Sequence, residues 1–385
     1  MIILHVIVGL GIGGAELMLQ RLVERPYGKE NFRNVVVSLS SLGVVGLQLK
    51  TYGIEVHALG MRSALDVPRV FWDLRRLIYM TRPDVVQTWM YHADLLGGLA
   101  ARVTGVKNVI WGIRTTDIAA GGSRDTRIVR WLCARLSNWI PHMIICAAEA
   151  SRRVHVALGY RAGLMVVVPN GFNLPRLQAT PMQVAALRFE CGFSAETVVV
   201  GTLGRFNAVK DPHNFVRAAG LLAREYPQAQ FLMIGRDCNA ANAELTGWIK
   251  AIGCEDRFVL LGERSDVPVC LAAMDVFCLS SRTEGFPNVV GEAMAMRKVC
   301  VVTDVGDAAY LLGDCGVVVP KEDSVALAEG MAKLLSLSSA DRAELGDRAH
   351  ARIASEFTME RARERFEAVY ASVLASQAPQ QRNQN

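Results

Sequence analysis

Two carboxylates stand eight residues apart in "SRTEGFPNVVGEAMA", Ser281 to Ala295: Glu284 in a turn and Glu292 one to two turns into the helix that follows. That helix opens near Pro287 to Gly291, with proline at a position the first turn tolerates. Backbone N–H groups left unpaired at a helix start form an anion site. Carboxylates on both sides of a phosphate would repel it if phosphate were the whole ligand. They suit a ligand whose phosphates are flanked by sugars, because each carboxylate accepts hydrogen bonds from hydroxyls. Upstream, "GTLGRFNAVKD" (Gly201 to Asp211) places Arg205 and Lys210 five residues apart in a loop opened by glycine. A forked guanidinium and a point-charge ammonium converging on one spot fit a diphosphate, although basic loop residues are also common as solvated surface charges.

Two further segments carry chemistry-bearing residues in the front half. In "VQTWMYHADLLGGLAAR", Val86 to Arg102, a strand runs into a helix start at which His92 lies. A lone histidine there is commonly a satisfied structural residue; the alternative is a group touching substrate. In "VGLGIGGAE", Gly9, Gly11 and Gly14 satisfy G-x-G-x-x-G between a strand and a helix, where a dinucleotide fingerprint belongs. Such a site wants an acid about 20 residues later, at the end of the second strand. Here that strand, "NVVVSLS", ends in serines.

All four segments follow strands, and the rest of the chain explains why. Short β-branched runs alternate with amphipathic stretches almost throughout, the pattern of parallel sheets covered on both faces. The front half reads "IILHVIV", "NVVVSLS", "DVVQTW", "NVIWGI", "MIICA" and "LMVVVP"; the back half reads "TVVVGTLG", "AQFLMIG", "RFVLLG", "DVFCLSS", "KVCVVTD" and "GVVVP". Between them "PNGFNLPRLQATP" (169–181) breaks the rhythm with three prolines and a glycine, as a linker would. The expected organisation is an α/β chain of two doubly wound domains, 1–172 and 173–355. A C-terminal helix over 356–375 packs on one of them, and a disordered tail spans 376–385. In such sheets ligands bind where loops leave the carboxyl ends of the strands.

Taken together, "GRFNAVKD" and "EGFPNVVGE" resemble the Arg/Lys and E-x7-E motifs of the family 4 retaining nucleotide-sugar glycosyltransferases, which have the GT-B fold. The likeness extends to "PNGFN" (Pro169 to Asn173) and to "LLGERSDVPVCLAAMDVF", and so covers nearly the whole chain. It implies two Rossmann-like domains facing across a cleft, the first on the acceptor side and the second binding a nucleotide-diphosphate sugar. It implies that Arg205 and Lys210 hold the donor diphosphate, that Glu292 binds the ribose, and that Glu284 with the backbone of Gly285, Phe286, Asn288 and Val289 binds the transferred sugar. The "GGAE" loop, with Gly13 and Gly14, would approach the donor from the first domain, and the helix packing back would be the C-terminal one. No cofactor and no metal are expected. The chain departs from the family at Gln87 and Trp89, where relatives often read H-x-H, which leaves the role of His92 open between base and positioning group. A second departure is "AMAMRKVCVV", where Arg297 and Lys298 replace the usual glycine exit; a local change of geometry is expected. After "NVIWGI", Arg114, Thr115 and Thr116 stand where a histidine is common, and could meet an anionic acceptor.

Charge points to a partner. Residues 1–175 carry 20 Lys+Arg against 11 Asp+Glu, net +9, and the remainder is net −4. In "RDTRIVRWLCARLSNW" (124–139), Ile128, Val129, Leu132, Cys133 and Leu136 share one helical face, and Trp131 falls among arginines on the other. A tryptophan inside a basic face suits an anionic membrane surface. No run is long and apolar enough to span a bilayer, nothing resembles a nucleic-acid module, and the nine scattered cysteines read as small buried hydrophobes of a reducing compartment. The expectation is a cytoplasmic glycosyltransferase, peripheral on the membrane's inner face, extending a lipid-linked polysaccharide or lipopolysaccharide precursor. Two other readings are a non-catalytic nucleotide-sugar-binding protein and an NAD-dependent oxidoreductase.

Overall fold

A computed structural model describes residues 1–24, 32–116, 123–194 and 196–376. Apart from Ser376, the tail read from the sequence lies outside the described residues. The chain divides into two compact units, Met1–Gly171 with Met359–Asn385, and Phe172–Thr358.

The first unit is built on seven parallel strands: β1 Ile2–Ile7, β2 Arg33–Ser38, β3 Glu55–Ala58, β4 Val85–Trp89, β5 Val109–Ile113, β6 Met143–Cys146 and β7 Met165–Val167. Their order is β3-β2-β1-β4-β5-β6-β7. Six of these strands follow the apolar runs of the sequence; β3, a four-residue edge strand of mixed polarity ("EVHA"), does not. One face is covered by the helices Val67–Thr81, Tyr91–Val103 and Arg124–Leu136, which share a core around Val70, Leu74, Ala100 and Cys133. The other face is covered partly by the helix Gly14–Val23 and partly by the last helix, Met359–Ala375, whose Met359, Ala362, Phe366, Val369, Tyr370 and Val373 are buried against β1, β4 and β6. Tyr370 Oη donates to Gln87 Oε1 (2.5 Å), a bond across 283 positions of sequence.

The second unit is a six-stranded parallel sheet: β8 Val198–Leu203, β9 Ala229–Ile234, β10 Phe258–Gly262, β11 Val276–Leu279, β12 Val299–Thr303 and β13 Gly316–Val319, in the order β10-β9-β8-β11-β12-β13. In both sheets the winding reverses once, between β1 and β4 in the first and between β8 and β11 in the second. Such reversals leave a crevice outside the strands' carboxyl ends. The Gly9–Gly14 loop and His92 follow β1 and β4, while the Arg205–Lys210 and Ser281–Pro287 loops follow β8 and β11.

The helix exit after Glu292 keeps the geometry that glycine normally supplies, contrary to the change expected from the sequence. Arg297 adopts the left-handed conformation (φ 59°), Lys298 N–H bonds Ala293 O (2.9 Å), and Arg297 N–H bonds Met294 O (3.0 Å). This double bond pattern satisfies the last carbonyls of the helix, at a steric cost of roughly 1–2 kcal/mol for a residue with Cβ. Arg297→Gly should therefore raise the stability of this unit by about 1 kcal/mol in denaturant titration, with catalysis unchanged.

Candidate active site

The two basic residues and the first glutamate meet in the second unit. Lys210 Nζ lies 2.5 Å from Glu284 Oε1, and Ser281 Oγ donates to the same oxygen at 2.6 Å. Both members of the pair are largely shielded, Glu284 more than Lys210. The two loops are laced together: Ser280 Oγ donates to Lys210 O (2.9 Å), Arg282 N–H to Val209 O (2.8 Å), and Arg282 Nε to Asp211 Oδ2 (2.8 Å). Asn207 Oδ1 accepts from Lys210 N–H (2.9 Å), which tightens the loop below the ammonium. Arg205, Lys210, Ser280 and Ser281 line one small pocket at the ends of β8 and β11. Arg205 is exposed and has no ion-pair partner among the described residues.

The helix Asn288–Ala295 opens at the end of the loop that carries Ser281 and Glu284. Its N-cap, Pro287, provides no side-chain acceptor, so the first-turn N–H groups receive no cap from it. Glu292 sits half-buried on the fifth residue of that helix. Gly291 is required because a Cβ there would strike the ring of Phe172. Phe286 is buried, stacked on Phe172 with centroids 6.3 Å apart and packed against Phe357 at 5.7 Å. Its side chain is thus an anchor for the loop, and only backbone is left to contact a ligand. Behind the loop, Gly306 (φ 60°) passes so close to the carbonyls of Glu284 and Gly285 that a side chain is excluded, and Asp307 N–H bonds Gly285 O (2.9 Å).

In the first unit, Met90 between β4 and the helix Tyr91–Val103 takes a positive φ of 73°, rare for a side-chain-bearing residue. This strained corner sets the position of His92, which is half-buried. Burial holds the His92 imidazole below its usual range against the opposing pull of Asp125, so the ring is neutral near pH 7 and has a free lone pair. Asp94, two residues on, is fully buried and accepts from Thr88 Oγ1 (2.5 Å) and Gly112 N–H (3.2 Å); desolvation pushes its carboxyl up to about 7. At the helix Gly14–Val23, Gly13 is the extended N-cap, and Glu16 folds its carboxylate against Gly13 where a Cβ would otherwise stand. That acid offsets the positive end of the helix.

Three features differ from the sequence reading. Arg114 does not project toward an acceptor: its guanidinium lies against Trp89 (4.7 Å) and Phe366 (5.3 Å), two rings that stack on each other, and donates to Asn170 Oδ1 (3.0 Å). Burial lowers it to about 10, still charged at neutral pH. Thr116 is likewise turned inward, bonded to Ser151 Oγ (2.9 Å). Ile128 does not join the buried face of the helix Arg124–Leu136 but stands exposed with Trp131. Ser281, which shares Glu284 with Lys210, was not among the residues singled out; its place three residues before the glutamate in a turn was the available signal.

The serines closing β2 are structural as well: Ser40 Oγ donates to Val8 O and Ser38 Oγ to Ser41 O, each at 2.7 Å. No acid stands at that strand end to take a dinucleotide ribose.

This arrangement can be set beside known proteins. The chain matches Glycosyltransferase Family 4 over residues 12–176 and Glycosyl transferases group 1 over residues 196–337. It is similar to the lipopolysaccharide core biosynthesis mannosyltransferase LpcC of Rhizobium leguminosarum bv. viciae, 26% identical over 84% of this chain and 89% of that protein. A UDP-Gal:alpha-D-GlcNAc-diphosphoundecaprenol alpha-1,3-galactosyltransferase of Escherichia coli is 25% identical over 60% of this chain and 61% of its own length. Among solved structures, Alr3699/HepE of Anabaena in complex with UDP superimposes with a TM-score of 0.83 at 23% identity, covering 97% of this chain and all of that one. The fold is GT-B, and the chain belongs to glycosyltransferase family 4.

Proposed function

We propose that this protein transfers a hexosyl or N-acetylhexosaminyl group from a nucleotide-diphosphate donor to a hydroxyl of a growing lipid-linked glycan, a precursor of surface polysaccharide or lipopolysaccharide, with retention of anomeric configuration. The observation carrying this reading is the pairing of Lys210 with Glu284, and the pocket that Lys210 shares with Arg205, at the strand-order reversal of the second sheet, with an uncapped helix opening at the end of the loop that bears Glu284. Relatives named for lipopolysaccharide core and diphosphoundecaprenol-linked sugars support the choice of acceptor.

In this reading Arg205, Lys210 and the first-turn N–H groups hold the diphosphate, Glu292 binds the ribose, and Glu284 with the backbone of Gly285, Phe286, Asn288 and Val289 binds the sugar. Gly13 and Gly14 contact the donor, and His92 serves the sugar or the acceptor. The acceptor oxygen bonds to the anomeric carbon on the face from which the diphosphate oxygen departs, and its proton passes to that departing oxygen. Charge growing on the leaving group is met by the two cations, with Lys210 released from Glu284 to the bound diphosphate before reaction. No metal has a part in these steps. Calorimetric titration with UDP, GDP, ADP, several of their sugars and NAD, in EDTA, tests the reading. One nucleotide class should bind without metal and lose about 10–100-fold in affinity in Glu292→Ala, the scale of a lost hydrogen bond to a charged group. Binding of NAD alone, or indifference to the substitution, would overturn it.

The acceptor places the enzyme at an anionic membrane surface. No helix among the described residues is long and apolar enough to cross a bilayer. The helices Val67–Thr81 and Arg124–Leu136 instead expose Trp72, Tyr79 and Met80 on one and Ile128 and Trp131 on the other, with Trp139 beyond. Arginines lie over two of these rings, Arg75 over Trp72 (5.2 Å) and Arg135 over Trp131 (5.4 Å). Exposed aromatics among cations suit the headgroup region. Sedimentation with phosphatidylglycerol vesicles should fall about tenfold in the double variant Trp131→Ala, Trp139→Ala, and should weaken with salt; neutral phosphatidylcholine vesicles should bind poorly.

A further inference from the structure

A second concavity lies on the other side of the Arg205–Lys210 loop. Phe206, Asn207 and Ala208 turn away from the phosphate pocket and form one wall of a cavity of about 560 Å3, within the range of small-ligand sites. The opposite wall is the helix Ala243–Ala251, which presents Glu244 and Trp248 one turn apart. Trp248 is half-buried, with the Phe206 ring 5.4 Å away and tilted by 32°, and with the His213 ring 4.8 Å away and edge-on. The floor is rigid. Asp211 holds a left-handed conformation (φ 47°) at the N-cap of the helix Pro212–Glu225 and is locked by Arg282, which also lies 3.4 Å from Glu322.

Around this aromatic platform, hydrogen-bonding capacity goes unused. Among the described residues, the Trp248 indole N–H, the His213 ring nitrogens, the Glu244 carboxylate and the Asn207 side-chain N–H groups have no partner. The balance of charge narrows the occupant. Arg282 is already paired with Asp211 and Glu322, so it offers an anion no free counter-charge while Glu244 repels one, and a cation would find the single carboxylate of Glu244 at the rim. A neutral ligand with one apolar face and a rim of hydroxyls fits both requirements, because an aromatic face covers the C–H side of a pyranose while donors and acceptors around it take the hydroxyls.

We propose that this pocket is a second carbohydrate-binding subsite, which takes an uncharged pyranose of a glycan chain remote from the reacting sugar. The proposal rests on the glycosyltransferase reading for its choice of a glycan as ligand. Its wall is the same loop that carries Arg205 and Lys210, so a glycan seated there would steady the donor-binding loop from behind.

Saturation-transfer NMR with α-linked maltotriose, mannotriose and galactotriose tests it, with UDP titration of the same samples as the reference. The expected result is transfer to at least one trisaccharide on the wild-type protein, unaffected by saturating UDP and reduced about tenfold in both Trp248→Ala and Glu244→Ala, while both variants bind UDP as the wild type does. Should Trp248→Ala fail to fold, Glu244→Ala, a change at an exposed side chain, decides alone. The proposal falls if no trisaccharide gives transfer, if the variants match the wild type, if UDP abolishes the signal, or if tetramethylammonium or inorganic phosphate occupies the pocket instead. Failure of UDP itself to bind would count against the glycosyltransferase reading and is read separately.

Discussion

Lys210→Ala is expected to lower kcat/KM by about 10²–10³-fold, the scale on which removal of one preorganised donor slows reactions that build charge on a leaving oxygen. Two losses combine in this variant. In the proposed mechanism the ammonium that meets the departing diphosphate is gone, and Glu284 is left shielded with Ser281 as its neighbour but without its cation. Unpaired charge in a shielded place is costly, so the loop itself should also loosen. Steady-state kinetics with a radiolabelled donor would check the prediction. The decline should appear mainly in kcat, since Arg205 and the helix start still hold the diphosphate in the ground state. A decline confined to KM would mean that Lys210 binds donor and transition state equally.

Glu284→Gln should split binding from turnover in an unusual direction. In the free protein Lys210 is engaged by Glu284 at 2.5 Å, so a diphosphate must displace this carboxylate before it can use the ammonium. Neutralising Glu284 removes that competitor and a source of repulsion, and UDP should bind several-fold more tightly, on the order of 1 kcal/mol. Turnover should nevertheless fall about 10²-fold, because the acceptor of the sugar hydroxyl has been weakened. Calorimetry with UDP beside kinetics with the full donor distinguishes this from a structural effect, which would weaken both. Equal losses in binding and rate would remove Glu284 from the sugar site.

The strands were legible in the sequence because parallel strands buried on both faces are near-continuous apolar runs, and twelve of the thirteen lie in such runs. The edge strand Glu55–Ala58 escaped because one side of it is wet and its residues alternate in character. The loops bearing Arg205, Lys210 and Glu284, the last leading into the helix of Glu292, were legible because each directly follows a strand. Their contact was not: it depends on β8 lying next to β11, an adjacency of strands that a chain read in order does not reveal. Arg114 is a similar case. A cation at the end of a strand looks available until the helix Met359–Ala375 brings Phe366 over it. Ile128 was misplaced for a geometric reason, since residues at the rim of a helical face are divided by which neighbour packs there, and here the core ends at Val129 and Cys133.

The placement of the helix Met359–Ala375 has a further consequence for how the protein is made. Its apolar face completes the core of the first unit, yet it leaves the ribosome only after the whole of Phe172–Thr358 has emerged. Phe172–Thr358, a continuous stretch, can close its own core while synthesis is still under way, whereas Met1–Gly171 must wait with Trp89 and Gln87 uncovered until Phe366 and Tyr370 emerge. The order of maturation is therefore the reverse of the order of translation. The second unit can finish first, and the first unit acquires its full core only once Met359–Ala375 has been made, so a product cut short before that helix would carry a closed second unit and an unfinished first one.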